Sequence, residues 1–89
     1  MVETEITVIN RLGLHARAAA KFVSLASGFE SEVSVARDGR EVNGKSIMGV
    51  MMLAAAQGSV LHLRADGPDE AAALAGLSEL INDRFGEDQ

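Results

Sequence analysis

The period of the apolar residues switches repeatedly along this chain, and that switching most narrows what it can fold into. Thr4, Ile6 and Val8 alternate with Glu5, Thr7 and Ile9, which predicts a half-buried strand over 4–9 with Ile9 as an apolar exception at its end. After a loop from Asn10 to His15 the spacing becomes helical: Ala19, Phe22, Val23 and Ala26 form one stripe, and Gly28 stands where a helix should end. Alternation returns at Glu32 to Ala36, Asp38-Gly39 signals a hairpin turn, and Arg40 to Val42 is the short returning strand. A second helix is expected from Ser46, its N-cap, to about Ala56, closed by Gly58 and facing inward with Ile47, Val50, Met51 and Ala54. Val60 to Ala65 alternates once more, with Leu61, Leu63 and Ala65 on one face and Val60, His62 and Arg64 on the other. Gly67-Pro68-Asp69 opens a last helix that buries Leu74, Leu77 and Ile81, with Phe85 near its end and Glu87-Asp88-Gln89 as a frayed polar tail. The order is β-α-β-β-α-β-α, an α+β fold with helices packed on one face of a mostly antiparallel sheet.

A chain of 89 residues is expected to form one domain around one core, over 1–89. With three Phe and no Tyr or Trp, that core must be built from Val, Ile, Leu, Met and Ala. The absence of cysteine excludes disulfides, thiolate metal sites and a Cys nucleophile, and suits a cytoplasmic setting. Met1 to Glu5 has no basic segment followed by an apolar run, so no secretory signal is expected, and the longest apolar stretch, Ile47 to Ala56, is too short to span a membrane. A net charge of −5, with only eight Lys and Arg, argues against nucleic acid and anionic membranes as partners while leaving room for a local basic site.

Such a site is offered by Gly13-Leu14-His15-Ala16-Arg17. His15 falls where a loop turns into a helix, and the unpaired amides of a first helical turn favour an anion. The same helix start disfavours an imidazolium, leaving a neutral, nucleophilic ring. Arg17 adds a fixed charge and a planar fork suited to phosphate oxygens. A phosphoryl group on His15 would thus be held by the backbone at Ala16 and Arg17 and by one arginine, without a metal ion. The plainer reading is a polar helix cap followed by a solvated arginine.

Gly39 and Gly44-Lys45-Ser46 match the bare string of a nucleotide-binding loop. That loop follows a buried parallel strand in a larger domain, whereas a hairpin precedes it here, so no nucleotide site is expected. Ser46 reads as an N-cap. Ile47, Met48, Met51 and Met52 carry more apolar surface than one buried stripe can absorb, and any left outside would form an adaptable docking patch. His62 has no acidic or histidine partner at ligand spacing and reads as a solvated residue; with two lone histidines no metal site is expected.

Together these motifs make the chain similar, over essentially its whole length, to the histidine-containing phosphocarrier (HPr) family of the bacterial phosphoenolpyruvate-dependent phosphotransferase system. The resemblance rests on Gly13-Leu14-His15-Ala16-Arg17, on Lys45-Ser46-Ile47-Met48-Gly49-Val50-Met51 and on the helix opened by Gly67-Pro68-Asp69-Glu70. It implies an open-faced β-sandwich, with four antiparallel strands covered on one face by three helices. It also implies a monomeric carrier that works within a relay rather than as a stand-alone enzyme, and needs no cofactor. Enzyme I would place a phosphoryl group on Nδ1 of His15, and an enzyme II A-type acceptor would remove it. Arg17 would steady the phosphate, and Ile47, Met48 and Met51 would dock the partners. Ser46 corresponds to a position that a dedicated serine kinase phosphorylates in some members. Ala18 stands where many sugar-transport members have Pro. The runs Arg17–Phe22 and Met51–Ala56 resemble instead the nitrogen-related branch, with the sugar-transport branch as the alternative. A reading from a different class is a small ferredoxin-like regulatory module, which shares the β-α-β-β-α-β order and would bind a ligand between sheet edge and loops.

Overall fold

A computed structural model describes residues Met1–Gln89. Strand β1 spans Val2–Thr7 and helix α1 Ala16–Ser27, followed by β2 (Glu32–Arg37), β3 (Arg40–Asn43), α2 (Ile47–Met52), β4 (Val60–Asp66) and α3 (Glu70–Asn82). The element order agrees with the switching periodicity, and a 3-10 turn over Arg84–Gly86 is added beyond it. The first strand begins and ends two residues earlier than its alternation suggests. Val2 pairs with Ala65 of β4, whereas the Val8 backbone leaves the ladder to bond Ser59 O and Gly58 N at 2.9 and 2.8 Å.

The four strands form one antiparallel sheet in the order β1-β4-β2-β3. The last strand in sequence is therefore central, and its composition explains why. Leu61, Leu63 and Ala65 are wholly buried on one face of β4, opposite Ile6 and Thr4 of β1 and beside Val35 and Val33 of β2. Val60, His62 and Arg64 point to the other, open face. The β2–β3 hairpin turns at Asp38 and Gly39, both with positive φ (51° and 83°), as a tight two-residue turn requires.

All three helices cover the same face. Phe22 and Ala26 of α1, Val50 of α2, and Leu77 and Ile81 of α3 join the β4 leucines in one cluster that also takes in Phe85. Each large side chain taken fully out of water contributes about 1.5–3 kcal/mol. Val23 and Leu74, expected to face inward, lie partly buried at the margin. Helix α2 is shorter than expected. It stops at Met52 because Leu53 turns inward and Ala54 adopts a left-handed φ of 49°. Ile47, Met51 and Ala54 are exposed rather than inward, and Val50 is the helix's buried residue. Arg37 Nη1 donates to Leu53 O and Arg40 Nη1 to Met52 O (3.1 and 3.2 Å), so the β2–β3 hairpin supplies cations to the carbonyl end of α2.

Gly44 has a close-packing role: a Cβ there would lie 2.5 Å from Val33 Cγ1. Lys45 Nζ donates to Phe29 O at 2.7 Å. The Gly-Lys-Ser string is thus used for packing and for tying loops together.

Asp69 precedes α3, yet its carboxylate does not cap that helix. It accepts from Glu30 N and Ser31 N at 2.9 Å and from Ser31 Oγ at 2.5 Å, tying the start of α3 to the loop before β2. The Ser31 hydroxyl first, then the backbone donors, hold the Asp69 carboxyl below its ordinary range. A depressed folded pKa adds stability that is present above the unfolded value and lost as pH falls through the folded one. Asp69→Asn is therefore expected to lower Tm at neutral pH, with the gap to the unsubstituted protein closing below about pH 4. Melting curves across pH 2–7 check this, and a gap independent of pH would count against the assignment.

Candidate functional site

The loop that presents His15 is held from beneath. Asn10 is fully buried and its Nδ2 donates to Gly13 O at 2.8 Å, while Leu14 is buried and its amide donates to Ala55 O at 2.8 Å. Gly13 has φ +68°, and a Cβ on it would lie 2.6 Å from Ala55 O, so only glycine lets the two loops approach this closely. His15 then becomes the N-cap of α1, with extended backbone (φ −76°, ψ 179°), and its carbonyl accepts the first helical bond from Ala19 N at 2.8 Å. Its side chain makes no capping bond, so the ring is left for other work. The amides of Ala16, Arg17 and Ala18 precede that first helical bond and have no partner within the helix.

The imidazole is 29% exposed and lies at the surface. Its Nε2 contacts Glu87 Oε2, and the other carboxylate oxygen accepts from Asn10 Nδ2 at 3.0 Å. A carboxylate only accepts, so Nε2 carries a hydrogen towards Glu87, and Nδ1 has no protein partner. The His15 ring, followed by the Asn10 amide, holds the Glu87 carboxyl below its ordinary range, so it is ionised at neutral pH. The Arg17 guanidinium is exposed and takes part in no ion pair. One nucleophilic nitrogen, a free helix start and an uncommitted arginine are therefore gathered within three residues, an arrangement that can accept and hold a phosphoryl group.

The expectation of a frayed tail is overturned. Arg84 and Phe85 both take left-handed φ values (56° and 54°), followed by Gly86 at 77°. This reversal, at about 1–2 kcal/mol per non-glycine residue, is offset by the complete burial of Phe85 and by Lys21 Nζ donating to Phe85 O at 2.6 Å. Beyond it, Arg11 bonds Gln89 through both backbone and side chain (2.9 and 2.7 Å). Glu87 is the site residue that sequence reasoning missed. A large apolar residue followed by glycine beyond a helix end, Phe85-Gly86, was the available signal that the chain folds back.

Ser46 caps α2, its Oγ accepting from Gly49 N at 3.2 Å. Ile47, Met48, Met51 and Met52 are 38, 68, 41 and 60% exposed, so the helix turns an apolar surface to solvent. His62 differs from expectation: its Nε2 bonds Glu3 Oε1 at 2.6 Å, because pairing of β1 with β4 supplies a partner that spacing along the chain conceals. No helix is long and apolar enough to cross a membrane.

Comparison with known proteins identifies the arrangement. Residues 2–83 match the family model described as the PTS HPr component phosphorylation site. The phosphocarrier protein HPr of Xylella fastidiosa strain Temecula1 is 58% identical over 88 residues, covering 99% of each chain. That of Neisseria meningitidis serogroup A is 58% identical over 87 residues, covering 98% of each. A crystal structure of HPr from Thermoanaerobacter tengcongensis superposes with a TM-score of 0.97 at 48% identity over all of both chains. These matches favour the open-faced sandwich over the ferredoxin-like module. The chain belongs to the HPr family, the phosphocarriers of the phosphotransferase system.

Proposed function

We propose that this chain carries its phosphoryl group on Nδ1 of His15, receiving it from phosphoenolpyruvate-charged enzyme I and passing it to an enzyme II A-type acceptor in the cytoplasm. The observation that carries this reading is the ring itself: at the start of a 12-residue helix, one nitrogen is occupied by Glu87 and the other is free. The free amides of Ala16 and Arg17 and the Arg17 guanidinium stabilise the charge of the transferring group. The exposed Ile47, Met48 and Met51 form the docking face for both partners. A phosphate on Ser46, placed there by a serine kinase, would add charge at the edge of this apolar face and repel an acidic partner.

Ala18, buried in the first turn of α1 where many sugar-transport members carry Pro, and the runs Arg17–Phe22 and Met51–Ala56 favour partners of the nitrogen-related branch. Incubation with phosphoenolpyruvate and enzyme I of either branch tests both parts. One acid-labile phosphate on His15, formed faster with the nitrogen-branch enzyme, is the expected result. Faster labelling by the sugar-branch enzyme overturns the branch, and no labelling by either overturns the carrier reading. Arg17→Ala is expected to slow transfer about 10- to 100-fold, in line with losing a charged hydrogen-bonding partner of the phosphate. An unchanged rate in stopped-flow transfer assays would remove its role.

A further inference from the structure

We propose that the methionines of α2, Met48 and Met52 foremost, are an oxidation site through which hydrogen peroxide weakens this chain's binding to its transfer partners while leaving His15 intact. The proposal rests on the carrier reading of His15 and on the docking role given to α2.

All four methionines of the chain are exposed, and none belongs to the buried core. Three of them, Met48, Met51 and Met52, stand within the six residues of α2. Spacings of three and four place Met51 and Met52 one turn beyond Met48 on the same side of the helix. The helix is held by its other side, where Val50 is wholly buried and Leu53 turns inward just beyond the end. Its ends are tied by the Ser46 cap and by the arginine bonds to the Met52 and Leu53 carbonyls, and no thioether takes part in any of these bonds. The chain has no cysteine, so no thiol competes for an oxidant, and exposed thioethers become its most readily oxidised groups. Exposure also sets the order. Met48 and Met52, at 68 and 60%, react before Met51 at 41%. Met1 is equally open, but its residue is tied at its amino group to Asp66 and Glu70, so it reports oxidation away from α2.

In the reaction a lone pair on Sδ attacks one oxygen of the peroxide, so that an S–O bond forms and the O–O bond breaks. Sulfur is oxidised by two electrons and the peroxide is reduced. The displaced hydroxide takes the proton of the transferred oxygen and leaves as water. A soft apolar tip has then become a dipole with a strong acceptor oxygen. On the free protein that oxygen faces water, so the fold is little affected. Against an apolar partner surface it loses its water and gains no donor, which weakens docking. Sulfoxide reductases reverse the change, one enzyme for each epimer, so the modification is a switch rather than damage.

The test treats the full chain with graded hydrogen peroxide and follows peptide maps, melting and phosphorylation by whichever enzyme I labels it faster. Single oxygen additions are expected at Met1, Met48 and Met52 before Met51, with Tm shifted by no more than about 4 °C. Oxidation on α2 should raise KM for this chain about 10- to 100-fold at a nearly unchanged kcat, and both reductases together should restore it. A variant carrying Met48→Leu and Met52→Leu is compared with its own rate before treatment. At doses that leave Met51 intact, its KM should not move, although Met1 is oxidised. An unchanged KM with Met48 and Met52 oxidised, an equal rise in the leucine variant, or a loss that follows unfolding overturns the proposal. If the untreated, unsubstituted protein takes no phosphate on His15, the carrier reading falls, and this proposal with it.

Discussion

His15→Ala is expected to give a folded protein that takes up no phosphoryl group, a loss of at least about 10³-fold set by the disappearance of the only nucleophile at the helix start. The fold survives because the imidazole does little structural work. It makes no capping bond, its backbone carbonyl still accepts from Ala19 N, and Glu87 retains Asn10 as a partner. The stability change should stay within about 1 kcal/mol, a shift of Tm of roughly 4–8 °C for a chain of this size. Intact mass after incubation with phosphoenolpyruvate and enzyme I reads the first effect, and a melting curve reads the second. His62→Ala is the matched control, since His62 lies on the open sheet face paired with Glu3. Full-rate labelling of the His15 variant would place the carrier residue elsewhere.

Gly13→Ala should cause a large loss of stability from a single added methyl group. The new Cβ would lie 2.6 Å from Ala55 O and 2.9 Å from Ala56 Cα, and both are backbone atoms that cannot rotate aside. A left-handed φ for alanine costs about 1 kcal/mol, and forced separation of packed segments adds about 1–3 kcal/mol. Together they predict a fall in Tm of roughly 10–25 °C. The separation would also stretch the bonds from Leu14 N to Ala55 O and from Asn10 Nδ2 to Gly13 O, which set the height of the His15 loop. Phosphoryl acceptance should therefore fall even at temperatures where the variant remains folded. Gly39→Ala separates the two causes: its φ is +83° but nothing lies within 4 Å of its Cβ. It should lose only the left-handed contribution, and equal losses for both variants would refute the steric account.

Much of this protein is legible along its chain. Alternation at Leu61, Leu63 and Ala65 marked the inner face of β4, the period of Phe22 and Ala26 marked α1, and Asp38-Gly39 marked the hairpin. Gly13-Leu14-His15-Ala16-Arg17 marked a loop entering a helix, which is where the structure puts it. These features are local: each depends on side chains a few residues apart taking the same face of one element. Helix α2 was the local misreading. Its apolar pattern continues to Ala56, but Leu53 turns into the core and the hairpin arginines take the last carbonyls.

What only the tertiary structure decided is which distant segments meet. Placing β4 between β1 and β2 brings Glu3 to His62 across 59 residues, and folding the tail back brings Glu87 to His15 across 72. No periodicity reports such pairs, because a contact between segments depends on how whole faces pack and leaves no regular spacing at either end. The sequence by itself therefore determined the elements and the histidine at the start of α1. Packing of the sheet, the helices and the buried Phe85 determined which nitrogen of that histidine is held by a carboxylate and which is left free.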